Sequence, residues 1–267
     1  MQENSALGRA VELVRDLRAR CPWDRAQTRN TLRPYLVEEV LELDDALATG
    51  DPASIKEEVG DLLLHLAWQF VLAEEHGEFS PAEAADLLIA KMRRRHPHLF
   101  DLGPKEGWET LKRRETRRAV LDGLPPTLPS LQMAYRLQQK AASVGFDWPD
   151  TAGPSAKVRE ELVEVEAELE EKKRGGGERG SGDADRGVEL DAADPLVEEI
   201  GDLLFAVVNL ARKARVQPTV ALERANRKFR ARFEGVERLA NERRIDVAAA
   251  GLEVLDGLWE ETKRRET

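Results

Sequence analysis

Apolar and polar residues recur with a helical period along most of the chain. Segments rich in Leu, Ala, Glu and Arg are separated by Gly and Pro, and the sequence lacks the alternating β-branched runs that are typical of strands. The pattern therefore predicts an all-α protein. In the first half, helices are expected over Ala6–Arg20, Leu32–Ala48, Ser54–Glu75, Pro81–Arg95 and Gly107–Ala119. In the second half, they are expected over Leu128–Val144, Ser155–Lys173, Pro195–Arg215, Pro218–Arg243 and Leu252–Arg265.

The two halves of the chain match each other at three places, in the same order. Each half has a Glu-Glu-x-x-Glu stretch, then a Glu-Glu-x-Gly-Asp-Leu-Leu segment, then a Trp-Glu-x-x-Lys-Arg-Arg-Glu-Thr segment. These segments begin at Glu38, Glu57 and Trp108 in the first half and at Glu160, Glu198 and Trp259 in the second. Two copies of a long unit indicate tandem domains rather than a solenoid. We expect an N-terminal domain over residues 1–120, a Pro-rich linker over 121–129 and a C-terminal domain over 130–267.

The second copy contains an insertion that the first copy lacks. Residues 175–187 read GGGERGSGDADRG and carry almost no apolar side chains, so they cannot join a packed core. We expect a flexible Gly-rich loop between the two acidic helices of this half. No predicted strand precedes the glycines, and neither Lys-Ser nor Lys-Thr follows them, so they form neither a P-loop nor a dinucleotide-binding motif.

The composition argues against several classes of partner. The chain has 51 acidic and 41 basic residues and a formal net charge of -10, which makes nucleic acid an unfavourable partner. No apolar run approaches the roughly 20 residues that a transmembrane helix needs, so no membrane association is expected. The N-terminus lacks the apolar segment of a signal peptide, and the single Cys21 cannot form an internal disulfide. A cytoplasmic location is expected.

Paired carboxylates are the strongest indication of a functional site in the sequence. Helical geometry places Glu38, Glu39 and Glu42 on one arc, whereas Glu58 and Asp61 share an arc of the next helix, whose other positions are largely apolar. A helix that is apolar on most sides is expected to be buried, and buried carboxylates are costly unless they are paired or bind a metal. Because the ligands would all be oxygens, the pattern favours Mg²⁺, with Mn²⁺ as a substitute, over Zn²⁺.

Short motifs outside the acidic segments add to this signature. They are Cys21-Pro22-Trp23-Asp24, Arg94–His98, Val144–Trp148 and Ala225–Phe229. Together with the duplicated acids, and over nearly the whole chain, they resemble the MazG family of the all-α NTP pyrophosphatase superfamily. The resemblance implies tandem helical domains, a homodimer with four-helix-bundle-like packing and dependence on Mg²⁺. It also implies hydrolysis of NTPs or dNTPs to the monophosphate and pyrophosphate.

The second half is expected to hold a catalytic metal site. The predicted metal ligands are Glu161, Glu164, Glu199 and Asp202. A water polarised by the metal, or by a spare glutamate such as Glu160 or Glu198, would attack the α-phosphorus, which gives a catalytic set of Glu160, Glu161, Glu198 and Glu199. The corresponding metal ligands of the first half are Glu39, Glu42, Glu58 and Asp61.

Cationic and aromatic residues of the second half are expected to bind the nucleotide. Lys228 and Arg232 are four residues apart on one helix face, and Lys263 follows Trp259 on the terminal helix. These cations would offset phosphate charge. Either Trp148 or Trp259 is able to stack on a base, although a tryptophan is as often a core residue.

Two asparagines distinguish the second half from the first. Asn209 and Asn226 are able to read a base or sugar by hydrogen bonds, and the matching residues of the first half are Trp68 and Ile89. The C-terminal half is therefore predicted to be the main catalytic domain. A weaker substrate-binding set in the first half comprises Glu38, Lys91, Arg95, Trp108 and Lys112.

Two other functions stay open on the sequence alone. Acidic helix faces are usually solvated, in which case the chain would be a helical interaction protein. Alternatively, one or both domains would bind a metal and a nucleotide without turnover, as a regulatory protein. The half that carries Trp68 is the better candidate for such a binding role.

Overall fold

The computed structural model describes residues 5–116, 119–175 and 194–266, and the regular structure of these ranges is helical. The chain begins with α1 (Ala6–Arg20), α2 (Pro22–Ala26), α3 (Arg29–Thr49), α4 (Pro52–Glu75), α5 (Pro81–Arg95) and a 3₁₀ turn (Pro97–Leu99). It continues with α6 (Trp108–Thr116), α7 (Ser130–Ala142), α8 (Ala152–Gly175), α9 (Pro195–Lys213), α10 (Pro218–Glu242) and α11 (Gly251–Arg265). The predicted all-α fold is confirmed. The predicted Gly-rich insertion lies outside the described residues, apart from Gly175 at the end of α8.

Several helices begin earlier than the apolar pattern indicates, because polar residues cap them. α4 begins at Pro52 rather than Ser54, since the Asp51 carboxylate accepts hydrogen bonds from the backbone N–H groups of Ala53 and Ser54. α3 begins at Arg29 behind a capping box formed by Thr28 and Thr31. The sequence did not predict α2, which is too short to show a helical period.

The first of two compact units, Met1–Glu106, is built around α4. Both α1 and α3 pack against α4. Gly50, with a left-handed φ of 77°, ends α3 and lets the chain turn back into α4, so these two helices form an antiparallel pair. The core of the unit consists of Val11, Val14, Leu32, Ala67, Trp68, Val71 and Leu72.

The second unit, Gly107–Thr267, contains the helix pairs α8–α9 and α10–α11, and α7 packs against both α9 and α10. The division between the units falls before α6, earlier than the predicted linker over residues 121–129. The ion pair between Glu109 of α6 and Arg136 of α7, at 2.7 Å, contributes to this placement of α6. In the described ranges, no helix combines the length and the hydropathy that crossing a membrane requires.

Candidate functional site

Three carboxylates of the second unit meet where α8 packs against α9. One oxygen each from Glu161, Glu199 and Asp202 lies within 4.8 Å of the other two. Glu161 is only 4% exposed, whereas Glu199 is half-buried and Asp202 lies at the exposed edge of the cluster. The spacing of three residues puts Glu199 and Asp202 on the same side of α9, towards Glu161. The structure thus brings together three of the four predicted metal ligands.

Glu164, the fourth predicted ligand, joins the cluster through a hydrogen bond to Glu161 one turn earlier on α8. This bond raises the pKa of Glu164, because one of two hydrogen-bonded carboxyl groups must carry a proton. Burial raises the pKa of Glu199, and repulsion by Glu161 and Asp202 raises it further. Glu164 and Glu199 therefore retain protons more readily than isolated carboxylates do.

Lys157 supplies an internal counter-ion to this cluster. Its Nζ lies 2.5 Å from Glu161 Oε1 and 2.8 Å from Glu160 Oε1. The hydrogen bond from Lys157 lowers the pKa of Glu161, and the bonds to Glu160 and Glu161 raise the pKa of Lys157. The sequence predictions missed Lys157. Its signal in the sequence is its position four residues before Glu161, where the first half has Tyr35 four residues before Glu39.

The acid cluster has the chemistry of a divalent cation site. Its donors are carboxylate oxygens from two packed helices, which are the hard ligands that Mg²⁺ and Mn²⁺ prefer. A cation between them would relieve the repulsion that raises the pKa of Glu164 and of Glu199. The residues present therefore fit such an ion.

The two spare glutamates predicted to act on the attacking water lie next to the cluster. Glu160 is exposed and is paired with Lys157. Glu198 is exposed in the first turn of α9, immediately before Glu199. Within the described residues, no cation pairs with Glu198. Glu198 is thus the less restrained of the two carboxylates.

The first unit carries a matching cluster between α3 and α4. One oxygen each from Glu39, Glu42 and Glu58 lies within 4.8 Å of the others. Burial raises the pKa of Glu39, and repulsion by Asp61, the fourth predicted ligand, raises it further. Burial and repulsion by Glu42 raise the pKa of Glu58. Both halves thus assemble the acids that the sequence singled out.

A second ion pair holds α8 and α9 together beyond the acid cluster. Lys172, near the end of α8, pairs with Asp194, which caps α9 by accepting a hydrogen bond from the Leu196 N–H at 3.0 Å. The hydrogen bond from Lys172 is the main cause of the lowered pKa of Asp194. This ion pair fixes the start of α9 against the end of α8, and so helps to set the spacing of the acids.

The apolar sides of the acidic helices are less buried than the sequence suggested. In α9 the buried residues are Ala206 and Val208. Five large apolar residues of the same helix are each between 43% and 54% exposed: Val197, Ile200, Leu204, Phe205 and Val207. α8 likewise exposes Leu162 and Val163. Within the described residues, a broad apolar surface of this helix pair is left uncovered.

A cavity of about 590 Å³ lies beside the α7–α9 contact and includes two predicted substrate residues, Trp148 and Asn209. The Trp148 ring stands so close to Gly153 of α8 that a Cβ there would overlap it. Asn209 accepts a hydrogen bond from Arg212 Nη2 at 2.7 Å. The walls of the cavity include Leu137, Gln138, Ala141, Phe146, Trp148, Phe205, Asn209 and Arg212.

Asp147 attaches the loop that carries Trp148 to α9. Arg212 Nη2 donates a hydrogen bond to Asp147 Oδ1 at 2.5 Å, and Lys213 Nζ lies 3.0 Å from Asp147 Oδ2. The hydrogen bond from Arg212, followed by that from Lys213, lowers the pKa of Asp147 to about 2. The Val144–Trp148 motif therefore serves to build one wall of the cavity.

The other predicted aromatic residue lies on α11. Trp259 packs against Phe229 of α10, with their ring centroids 5.3 Å apart. The Arg232 guanidinium lies over the Trp259 ring, 5.9 Å from its centroid, and pairs with Glu266 at 2.9 Å. Arg232, Trp259 and Phe229 thus form one contact cluster between α10 and α11.

The remaining predicted residues of the second half lie on the same two helices. Asn226 and Lys228 are exposed on α10, and Lys263 of α11 pairs with Glu260 at 2.6 Å. Within the described residues, neither Lys228 nor Arg232 forms an ion pair with the acids of α8 and α9. In the described part of the chain, these two cations are thus not paired with the predicted metal ligands.

The weaker substrate-binding set predicted for the first half is divided between the two units. Glu38 is exposed beside Glu39 on α3, and Lys91 and Arg95 lie on α5. Trp108 and Lys112 lie on α6, which belongs to the second unit.

The fold and the acid clusters define an all-α protein with one carboxylate site of metal-binding type in each half. Residues 27–100 match the MazG nucleotide pyrophosphohydrolase domain. The chain is 37% identical to the nucleoside triphosphate pyrophosphohydrolase of Escherichia coli (strain K12), over 96% of this chain and 95% of that protein. It is also 37% identical to the nucleoside triphosphate pyrophosphohydrolase/pyrophosphatase MazG of Thermotoga maritima, over 91% of this chain and 89% of that protein. This chain therefore belongs to the MazG family. The predicted family is thereby confirmed, and at the level of the family so is the predicted class of enzyme, a hydrolase of phosphoric anhydride bonds.

Proposed function

We propose that this protein is a metal-dependent nucleoside triphosphate pyrophosphohydrolase that cleaves NTPs or dNTPs at the α-phosphorus to the monophosphate and pyrophosphate. Relatives that match nearly the whole chain are named for this class of activity. The observation that carries the proposal is the meeting of Glu161, Glu199 and Asp202 within 4.8 Å. Carboxylates act on a polyphosphate through a bridging cation, because phosphoryl and nucleotidyl transfer depend on positioning and charge neutralisation.

The acid cluster of the second unit would hold Mg²⁺, with Mn²⁺ as a substitute, through Glu161, Glu164, Glu199 and Asp202. When bound, the ion supplies neutralisation of phosphate charge and polarisation of water. Lys157 would keep Glu161 ionised for this purpose, since its hydrogen bond lowers the pKa of that carboxyl group.

Glu198 is the carboxylate that we assign to the attacking water. It is exposed beside Glu199, whereas Glu160, the other candidate, is held by Lys157. The water oxygen forms a bond to the α-phosphorus while the bond from that phosphorus to the bridging oxygen of the β-phosphate breaks. Glu198 accepts the proton of the water, and pyrophosphate leaves with the electron pair.

The C-terminal unit would be the main catalytic unit, because three of its positions differ from their counterparts in the first unit. Asn209 corresponds to Trp68, which is 3% exposed within the core of the first unit. Asn226 corresponds to Ile89, and Lys157 corresponds to Tyr35. Each difference gives the second unit a polar or charged group that is able to contact a nucleotide.

The cations of α10 and α11 would complete the triphosphate site. Lys228 is exposed on α10, Lys263 pairs with Glu260, and Arg232 is positioned by Trp259 and Glu266. Because Lys228 and Arg232 form no ion pair with the acids within the described residues, we expect the substrate itself to bridge the two clusters.

A homodimer is part of this proposal. The α8–α9 pair exposes Leu162, Val163, Ile200, Leu204 and Val207, all of them 43% exposed or more. An apolar surface of this kind is typical of a protein–protein interface. A second copy of the same helix pair would cover it and form a four-helix bundle, as the family resemblance implies.

A second candidate function applies to the first unit. Its acids also meet within 4.8 Å, but Trp68 is packed into its core at the position that corresponds to Asn209. This unit would therefore bind a metal or a nucleotide in a regulatory role without turnover.

Pyrophosphate release tests the proposal directly. The full chain would be supplied with a panel of NTPs and dNTPs, with Mg²⁺, with Mn²⁺ and with a chelator. Metal-dependent release of pyrophosphate together with the monophosphate supports the proposed reaction. Release of orthophosphate instead, or turnover that persists in the chelator, would refute it. Nucleotide binding without turnover would favour the regulatory alternative for both units.

A further inference from the structure

Lys157 holds two carboxylates of α8 that differ sharply in burial. Its Nζ lies 2.5 Å from Oε1 of Glu161, whose side chain is only 5% exposed. The same Nζ lies 2.8 Å from Oε1 of Glu160, whose side chain is 59% exposed. The Lys157 side chain is itself 44% exposed. Because a lysine ammonium has three donors on a flexible stem, Lys157 is able to release one carboxylate while it keeps the other.

The bond to Glu161 engages a predicted metal ligand. One oxygen each of Glu161, Glu199 and Asp202 lies within 4.8 Å of the other two. A divalent cation bound by Glu161 would repel the ammonium of Lys157, because both are positive and would be close together. Its double charge would also attract the carboxylate more strongly than the single charge of the ammonium does. The ammonium therefore stands in for a cation, and we expect it to leave Glu161 when a metal binds.

Glu160 keeps the released ammonium next to the site. It precedes Glu161 on α8, and its exposed carboxylate is the second partner of Lys157. Phosphate oxygens that share a metal ion with Glu161 would lie within about 4 Å of the Glu161 oxygen, because each Mg–O distance is about 2.1 Å. Since Lys157 Nζ starts 2.5 Å from that carboxylate, such a phosphate oxygen lies within its reach.

We propose that Lys157 exchanges partners when the metal-bound triphosphate enters: its ammonium leaves Glu161, keeps Glu160 and donates a hydrogen bond to a phosphate oxygen. Lys157 is then a substrate-binding residue, and Glu160 is the residue that positions it. The proposal rests on the function proposed above, since it concerns the phosphates of the same substrate. The exchange moves a positive charge from an acid that has gained a metal to the anionic substrate.

The first unit has no lysine at the corresponding position. Tyr35 lies four residues before Glu39, as Lys157 lies four residues before Glu161. A phenol carries no positive charge at neutral pH. The Tyr35 ring also contacts the Trp23 ring, with the ring centroids 6.5 Å apart. The exchange is therefore assigned to the second unit alone.

Two equilibrium titrations of the full chain test the exchange without requiring turnover. Mn²⁺ alone would be titrated with the free ion followed by electron paramagnetic resonance, and Glu199→Gln identifies the bound ion that belongs to the second unit. Inorganic tripolyphosphate would be titrated at saturating Mg²⁺ by calorimetry. We expect Lys157→Met to bind Mn²⁺ about 3-fold more tightly, because the competing ammonium is gone. We expect it to bind tripolyphosphate about 10-fold more weakly, because a charge-assisted hydrogen bond is lost.

Two further variants complete the comparison. Lys157→Arg keeps a positive charge and hydrogen-bond donors, so its affinity for tripolyphosphate should stay within about 3-fold of that of the parent. Lys173 pairs with Glu170 on an exposed part of the same helix. Lys173→Met is the matched control and should bind both probes like the parent.

Opposite changes in the two affinities of Lys157→Met support the exchange, because removal of a purely structural residue would weaken both. Any other pair of changes would overturn it, as would a parent that binds no tripolyphosphate or a Lys157→Arg variant that binds it as weakly as Lys157→Met does. The proposed function would still stand if the parent released pyrophosphate from NTPs. Conversely, opposite changes in a protein that releases no pyrophosphate would support the exchange and refute the proposed reaction.

Discussion

Lys157 Nζ lies 2.5 Å from Glu161 Oε1, one helical turn away, and places a positive charge in the acid cluster of the second unit. We expect Lys157→Met to lower the urea midpoint of the metal-free protein, because the least exposed acid loses its counter-ion. We also expect a larger stabilisation by Mg²⁺ than in the parent, because the ammonium no longer competes for the same oxygen. Urea unfolding with a chelator and with Mg²⁺ measures both effects.

Lys173→Met is the matched control for this prediction. Lys173 pairs with Glu170 on the same helix, and both side chains are largely exposed. Its loss should change neither the stability nor the response to Mg²⁺ appreciably. An identical Mg²⁺ response in Lys157→Met and the parent would show that Lys157 is not part of the metal site.

A comparison of Glu199→Gln with Glu58→Gln shows which of the two units is catalytic. Each substitution keeps the shape of the side chain and removes the charge of one cluster. Glu199→Gln is expected to reduce pyrophosphate release by at least about 100-fold, because it removes a ligand of the ion that carries the charge neutralisation. Glu58→Gln should retain most of the activity. The two variants are compared by their steady-state rates at saturating Mg²⁺. A larger loss of rate in Glu58→Gln than in Glu199→Gln would show that the first unit is the main catalytic unit.

Asp147 makes the stability of the second unit dependent on acid pH. Arg212 and Lys213 lower its pKa from 3.8 to about 2, so the folded state favours the ionised carboxylate. The contribution is present above about pH 4 and is lost as the pH falls towards 2. Asp147→Asn should reduce the free energy of unfolding at neutral pH by about 1 kcal/mol, after allowance for solvent screening.

The difference between Asp147→Asn and the parent should therefore shrink between pH 4 and pH 2, as measured by chemical unfolding in a chelator. Asp256→Asn, at an exposed position of α11, is the control and should follow the parent at every pH. A difference that stays constant with pH would show that Asp147 acts through packing rather than through its charge.

Leu204 tests the proposed homodimer. This side chain is 54% exposed on α9, within the apolar surface of the α8–α9 pair. Leu204→Glu would bury a charge in the interface. In light scattering at micromolar concentration, we therefore expect the parent to be dimeric and Leu204→Glu to be monomeric. Leu222→Glu, at a 48% exposed position of α10, should leave the dimer intact. A parent that is monomeric at all concentrations would refute the proposed assembly.

The sequence predicted the helices and the acid clusters well, because both follow from local spacing. Gly50 and Pro52 mark the turn between α3 and α4, and the three-residue spacing of Glu199 and Asp202 sets a common helix face. The match between the halves then identified which acids belong together. The homodimer, the metal ion, the cytoplasmic location and the expected lack of nucleic-acid and membrane partners stay predictions.

What the sequence could not predict depends on contacts between distant segments. Asp147 holds Arg212 across the second unit, and Arg212 orients Asn209, so the role of Asn209 depends on a loop far from it in the chain. The open apolar surface of α9 was also missed, since an apolar pattern does not say which partner covers it.

The ion pair of Lys172 with Asp194 gives the chain freedom to vary between these two residues. Together with the packing of α8 against α9, it holds the ends of the two helices side by side, so the register of the paired acids depends little on the connecting sequence. Lengthening a connection costs little, about 0.6 kcal/mol for each doubling. We therefore expect a change in the length of this stretch to leave α8 paired with α9.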